Sequence, residues 1–227
     1  MQKQKLSTRY LVVCAMFVAI SFVMVVVFKF VPPVAGFLSY EPKDAIVAIG
    51  GFLYGPLTSV LISVLTSLIE MITISSTGLY GLLMNVVSTC AFAVPAAWFY
   101  KKHKTMSGAV IGLVIGVVVM AACMVAWNYI ITPFYMKTPD QSVAEVRTMV
   151  SGMLTSVFLP FNLVKGGLNA GVTMLLYKPV VGALRAANLA EPSQSGKKGK
   201  FSPGFLLFTL AVLTTFVLLL LAMLGIL

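Results

Sequence analysis

Acidic residues are scarce in this chain. Six Asp and Glu stand against sixteen Lys and Arg, a formal net charge of +10, and charged residues of both signs make up only 10% of 227 positions. Histidine is scarcer still. His103 is the only one and lies in a basic stretch, which excludes a histidine-based triad or metal site inside the apolar spans. The cysteines, Cys14, Cys90 and Cys123, fall far apart within apolar runs, lack metal-ligand spacing, and read as small core residues. No Gly-x-x-x-x-Gly-Lys-Ser/Thr loop is present, since Gly196 to Lys200 is only basic linker, so ATP hydrolysis by that route is excluded. Of the carboxylates, only Glu70 is expected well inside a span, too few for a paired acid/base site or a proton relay. Binding or transport is the expectation. No catalytic residue, metal or resident cofactor is expected, and a purely structural subunit would give no reason for the lysine placed within a span below.

Apolar sequence is what the chain has in abundance: 59% of its residues are hydrophobic and its mean hydropathy is +1.01, the signature of a polytopic all-α membrane protein. The positive charge does not point to nucleic acid, because it sits in short loops beside apolar runs. Lys3, Lys5 and Arg9, then Lys101, Lys102 and Lys104, then Lys178, Arg185, Lys197, Lys198 and Lys200 form three clusters, which the positive-inside rule puts in the cytoplasm. The first run, Tyr10 to Val31, is too long for a signal-peptide core and lacks a small-x-small site, so it reads as a mature helix with a cytoplasmic N-terminus. Its Ala15 and Ala19, four apart, flatten one face enough for another helix to approach. Pro32 to Lys43 is an apolar exterior loop whose Phe37, Leu38 and Tyr40 could cover something.

Asp44 to Ser75 would be a helix of about 48 Å, too long for one upright span. A break at Gly55-Pro56 makes it a hairpin and returns Lys101 to Lys104 to the cytoplasm. The descending arm, Asp44 to Tyr54, is then only about 16 Å and is expected to be short or partly irregular. A fifth span covers Gly108 to Ile131, ending near Trp127-Asn128-Tyr129. An exterior loop, Thr138 to Ser151, follows, and the sixth span ends at Lys178-Pro179. Phe205 to Leu227, without a charge, reads as a seventh helix with an exterior C-terminus, anchoring or packing on the rest. The expected division is a membrane domain over 1–186, a basic flexible linker over 187–204 and the additional helix over 205–227.

The informative stretch is Leu159-Pro160-Phe161-Asn162-Leu163-Val164-Lys165-Gly166-Gly167, which carries an amine into a membrane helix. Lys165 lies 13 residues before Lys178, about 20 Å up the helix and hence in the outer half of a ~30 Å hydrocarbon core. Asn162 and Asn169 share its face. Glu70, counted up from Gly55-Pro56, and Asn85, counted up from Lys101, come to similar heights, so a polar layer in the outer leaflet is expected. Ionisable groups at such depth face a bundle interior or a cavity.

Several of these stretches together resemble the riboflavin-specific S component of energy-coupling factor (ECF) transporters. They are Tyr40-Glu41-Pro42-Lys43-Asp44 leading to Gly51-Phe-Leu-Tyr-Gly-Pro56, Asn128-Tyr129 with Pro133-Phe134-Tyr135, and Pro160-Phe161-Asn162-Leu163-Val164-Lys165, over about residues 8 to 185. The resemblance implies a six-helix S-component bundle in a bacterial plasma membrane that captures riboflavin from outside. Uptake would be powered by a transmembrane coupling subunit and two ATPases docking at Ala15 and Ala19. It makes Asn128, Asn162 and Lys165 flavin-binding, with Tyr40 from the covering loop; Asn85 joins them from the depth argument. An isoalloxazine edge offers carbonyls and ring nitrogens to amide and ammonium partners. Another flat heteroaromatic vitamin or nucleobase, or a solitary facilitator, is the alternative. The seventh helix departs from the six-helix pattern.

Overall fold

The computed structural model describes residues 7–190 and 202–227, and these form helices joined by short connections. Ser7 caps α1 (Thr8–Phe28) by accepting from Tyr10 N at 3.3 Å. A short loop leads to α2 (Lys43–Tyr54), and Gly55, at φ 101°, makes the sharp reversal that only glycine adopts readily. Pro56 then opens α3 (Pro56–Thr73), where its missing N–H costs nothing. The hairpin expected at Gly55-Pro56 is therefore present. Its descending arm is a regular helix rather than an irregular segment. α4 (Gly78–Lys102) and α5 (Met106–Met136) follow; α5 outruns the expected Gly108 to Ile131 at both ends.

Two expectations for the next segment need correction. The exterior stretch Thr138 to Ser151 is helical from Val143, because Ser142 and Glu145 form a reciprocal capping box that starts α6 (Val143–Met153). α6 then passes through a π-helical turn, Leu154–Phe158, into α7 (Leu159–Ala186). Pro160, with no N–H to donate, accounts for the local loosening. α7 also continues past Lys178-Pro179 to Ala186, absorbing Pro179. The linker positions 191–201 lie outside the described residues, and α8 (Pro203–Met223) begins two residues before the expected start.

Among the described residues, five helices (α1, α3, α4, α5 and α8) are long and apolar enough to cross a membrane. α2 is too short, and α7 carries Asn162, Lys165 and Asn169, all buried, so its polar side faces the bundle and not lipid. The core joins α1, α2, α4, α5 and α7 through residues such as Phe17, Ile49, Phe92, Leu113 and Met120. Close helix contact comes from small residues: a Cβ on Gly116 of α5 would lie 2.4 Å from the Phe92 carbonyl oxygen of α4.

The ends of the bundle are distinct. A Cβ on Gly55 would lie 3.7 Å from Lys101 Nζ, Tyr10 Oη hydrogen-bonds Thr58 Oγ1 at 3.2 Å, and Tyr54 donates to the Leu189 carbonyl at 2.8 Å. The start of α1, the hairpin, the end of α4 and the end of α7 thus share one end, bringing the basic residues Arg9, Lys101 and Arg185 together there. The loop after α1 lies at the other end.

Candidate binding chamber

A cavity of about 220 Å³ opens between the loop after α1 and helices α3, α4, α5 and α7. Asn85, Asn128, Asn162 and Lys165 all line it, as does Glu70. The residues of the polar layer anticipated from helix depth, Asn85, Asn162, Lys165 and Glu70, thus line one chamber. Phe37, Leu38 and Ser39 of the loop also line it, so the loop covers the chamber from the end away from the basic cluster.

Lys165 of α7 is 6% exposed, with Ser88 Oγ at 3.3 Å and the Asp44 carboxylate at 3.4 Å. Both contacts are long for an ammonium, whose charge-assisted bonds settle near 2.7–2.9 Å. The amine is held in place yet has bonding capacity left. Asn162 donates one amide hydrogen to the Phe158 carbonyl at 2.8 Å, the oxygen of the π turn, and the rest of its amide has no partner among the described residues. Asn128 donates to Met124 O at 2.7 Å and accepts from Thr132 at 2.8 Å, which locks its orientation one turn along α5. Asn85 donates to Glu70 at 2.9 Å. A planar solute with carbonyls and ring nitrogens along one edge meets amides and an ammonium here, and Met84, Met124 and Phe161 offer its faces apolar contact.

Tyr40 stands differently. It is not among the residues lining the chamber; its ring packs edge-on against Phe28 at 5.7 Å and on Val164 and Leu168 behind the wall. Burial, reinforced by the charge on Asp44, raises its pKa, so the phenol is neutral. Ala15 and Ala19 are both exposed on α1, each directly after a buried pair, Val13-Cys14 and Phe17-Val18, so neither packs inside this chain.

The expectation that Glu70 is the only carboxylate deep in the bundle is corrected. Asp44 is 0% exposed and Lys43 1%, and Glu41 joins them beneath the loop. Lys43 Nζ bridges Glu41 at 2.6 Å and Glu70 at 2.9 Å. Asp44 accepts from Thr89 of α4 at 2.6 Å and from Asn169 of α7 at 3.4 Å. The reason is the length of α2: twelve residues rising from Gly55 reach only about 18 Å, so Lys43 and Asp44 start inside the membrane, level with Lys165. That was the available sign. A charge pair opening an arm too short to span must itself be buried. Burial opposes ionisation of Glu41, but the charges of Lys43 and then Lys165 outweigh it and hold its pKa below the usual carboxylate range. The short contacts of Lys43 make it the fastener of loop, α2 and α3, whereas Lys165, with longer contacts, keeps bonding capacity in the chamber lining.

A membrane bundle enclosing a covered polar chamber is the architecture of a solute-binding membrane subunit. The chain belongs to the ECF transporter substrate-specific components, whose family model matches residues 9–177. It is similar to the riboflavin transporter FmnP of Bacillus subtilis (strain 168), 26% identical over 193 residues that cover 81% of this chain and 100% of the relative. It is also similar to the riboflavin transporter RibU of Streptococcus thermophilus (strain ATCC BAA-250 / LMG 18311), 27% identical over 77% of this chain and 83% of that one. Its fold matches a solved S component of a bacterial ECF transporter at a TM-score of 0.64, with 21% identity, over 78% of this chain and 98% of the other. α8 lies beyond the family match.

Proposed function

We propose that this chain is the riboflavin-binding subunit of an ECF importer, taking the vitamin from the side opposite the basic clusters. The observation that carries the reading is the convergence of Asn128, Asn162 and Lys165, from two helices, on one covered cavity in a chain similar to two riboflavin transporters. In this reading the amides and the Lys165 ammonium bond the polar edge of the isoalloxazine, Asn85 and Glu70 hold the opposite wall, and the loop over 32–42 closes above it. Tyr40 belongs to that loop, but its ring packs away from the ligand on Phe28, Val164 and Leu168. Energy comes from outside the chain: a coupling subunit and two ATPases dock where Ala15 and Ala19 leave the α1 surface flat. The N-terminus and Lys101 to Lys104 face the cytoplasm of a bacterial cell, and the C-terminus faces outward.

Purification followed by a spectrum of the released ligand tests the assignment. Flavin absorbance at one equivalent per chain is expected, and titrated riboflavin should quench its fluorescence. A purified, folded chain that binds another heteroaromatic and leaves riboflavin free would overturn it.

A further inference from the structure

α8 is Leu-rich on every side, yet in the structure it has one definite seam. Its less exposed residues Phe205, Thr209, Leu213, Phe216, Leu220 and Met223 recur at three- and four-residue spacing. That seam seats on α7 where side chains are missing. A Cβ on Gly167 would lie 2.3 Å from the Phe216 ring, and one on Gly171 would lie 2.6 Å from Leu213 Cδ2, so both α8 side chains fill space that only glycine leaves. At the loop end, Leu213, Phe216, Leu220 and Met223 pack with Phe28 on the buried cluster of Tyr40, Val164 and Leu168. Tyr40 is 7% exposed, and its chain neighbours on both sides, Ser39 and Glu41, line the chamber.

From this placement we infer that α8 is a positioning helix for the covering loop: through Tyr40 it holds the 37–41 segment down over the chamber and so slows release of the bound solute. The solute's identity rests on the riboflavin reading. The mechanical role does not. The loop's other holds lie on either side of Tyr40: the Val34 to Leu38 pair of backbone hydrogen bonds and the packing of Phe37 and Leu38 on Val146, Val150 and Phe158 before it, and the Lys43 bridge and Asn169 amide on Glu41 after it. Tyr40 has no hydrogen-bond partner among the described residues, so its side chain is fixed by packing, and four of the five partly buried residues packed on its cluster belong to a helix beyond the family match.

The test uses the full chain in lipid nanodiscs. Phe216→Ala with Leu220→Ala removes the α8 side of the contact, whereas Leu218→Ala with Leu219→Ala trims two exposed, lipid-facing residues of the same turns. Amide hydrogen exchange over 36–41, without ligand, should quicken in the first variant and match the parent in the second. Riboflavin release should be roughly three- to tenfold faster in the first variant, with the association rate little changed. Gly171→Cys with Leu213→Cys, in a chain otherwise free of cysteine, should form a disulfide, because the Gly171 Cβ position lies 3.8 Å from Leu213 Cα. Failure to form that bond, parent-like exchange over 36–41 in the first variant, or quickened exchange spread evenly through α1 to α5 would each overturn the positioning role. A parent chain that ignores riboflavin would sink the flavin assignment instead, and the exchange arm would still decide this one.

Discussion

Replacing Lys165 by Met removes an ammonium from the chamber wall while keeping most of the stem's volume. If the amine bonds the ligand, the variant loses one charge-assisted hydrogen bond, about 1.5–3 kcal/mol, or roughly 10- to 100-fold in affinity. The fold should suffer less, because the contacts given up are long ones, 3.3 Å to Ser88 and 3.4 Å to Asp44, and Asp44 retains Thr89 at 2.6 Å. Lys43→Met makes the contrast. It strips the shared partner from Glu41 and Glu70, which lie 2.6 and 2.9 Å from the ammonium, and leaves two buried carboxylates without their cation. Breaking a buried pair from one side costs about 3–5 kcal/mol, so this variant should melt well below the parent. The assay is paired: riboflavin fluorescence titration and thermal unfolding of parent and both variants in one detergent. Lys165→Met should lose affinity with a modest change in melting temperature, and Lys43→Met should lose melting temperature first. A folded Lys165→Met protein with parent affinity would refute the role given to the amine, and equal melting of all three would refute the division between fastener and ligand group.

Topology is checked by cysteine labelling in a background without native cysteines: Lys102→Cys should resist an impermeant reagent in intact cells and Asp140→Cys should react, and labelling at 102 would reverse the assignment. Ala15→Trp with Ala19→Trp should bind riboflavin as the parent does, yet fail to co-purify with the ATPase module or support uptake, since both positions face outward; normal uptake would dismiss the docking role. Gly116→Ala should destabilise the α4–α5 contact by about 1–3 kcal/mol, because its Cβ meets the backbone oxygen of Phe92, which cannot turn aside. Gly182→Ala, with open space around it, should melt with the parent, and a similar loss at both sites would argue against close packing as the cause.

Much of this architecture is local in origin and was readable from the chain alone. Apolar runs set the spans because transfer into lipid is summed residue by residue, and basic loops set a common end because that bias acts on short neighbouring segments. Gly55-Pro56 was readable as a hairpin for the same reason, and so was the shared depth of Asn85, Asn162, Lys165 and Glu70, which follows from a fixed rise per residue. What tertiary structure alone decided is which of these groups touch. Lys43 read as the end of an exterior loop and Asp44 as the start of the descending arm, and both are buried because their partners come from 27, 45 and 125 residues away, at Glu70, Thr89 and Asn169. Tyr40 read as part of the ligand's cover, but its neighbours on α1, α7 and α8 turn the ring away from the chamber. α8 shows no stripe in its sequence because lipid accepts leucine on every side, and its seam exists only where α7 presents glycine at 167 and 171.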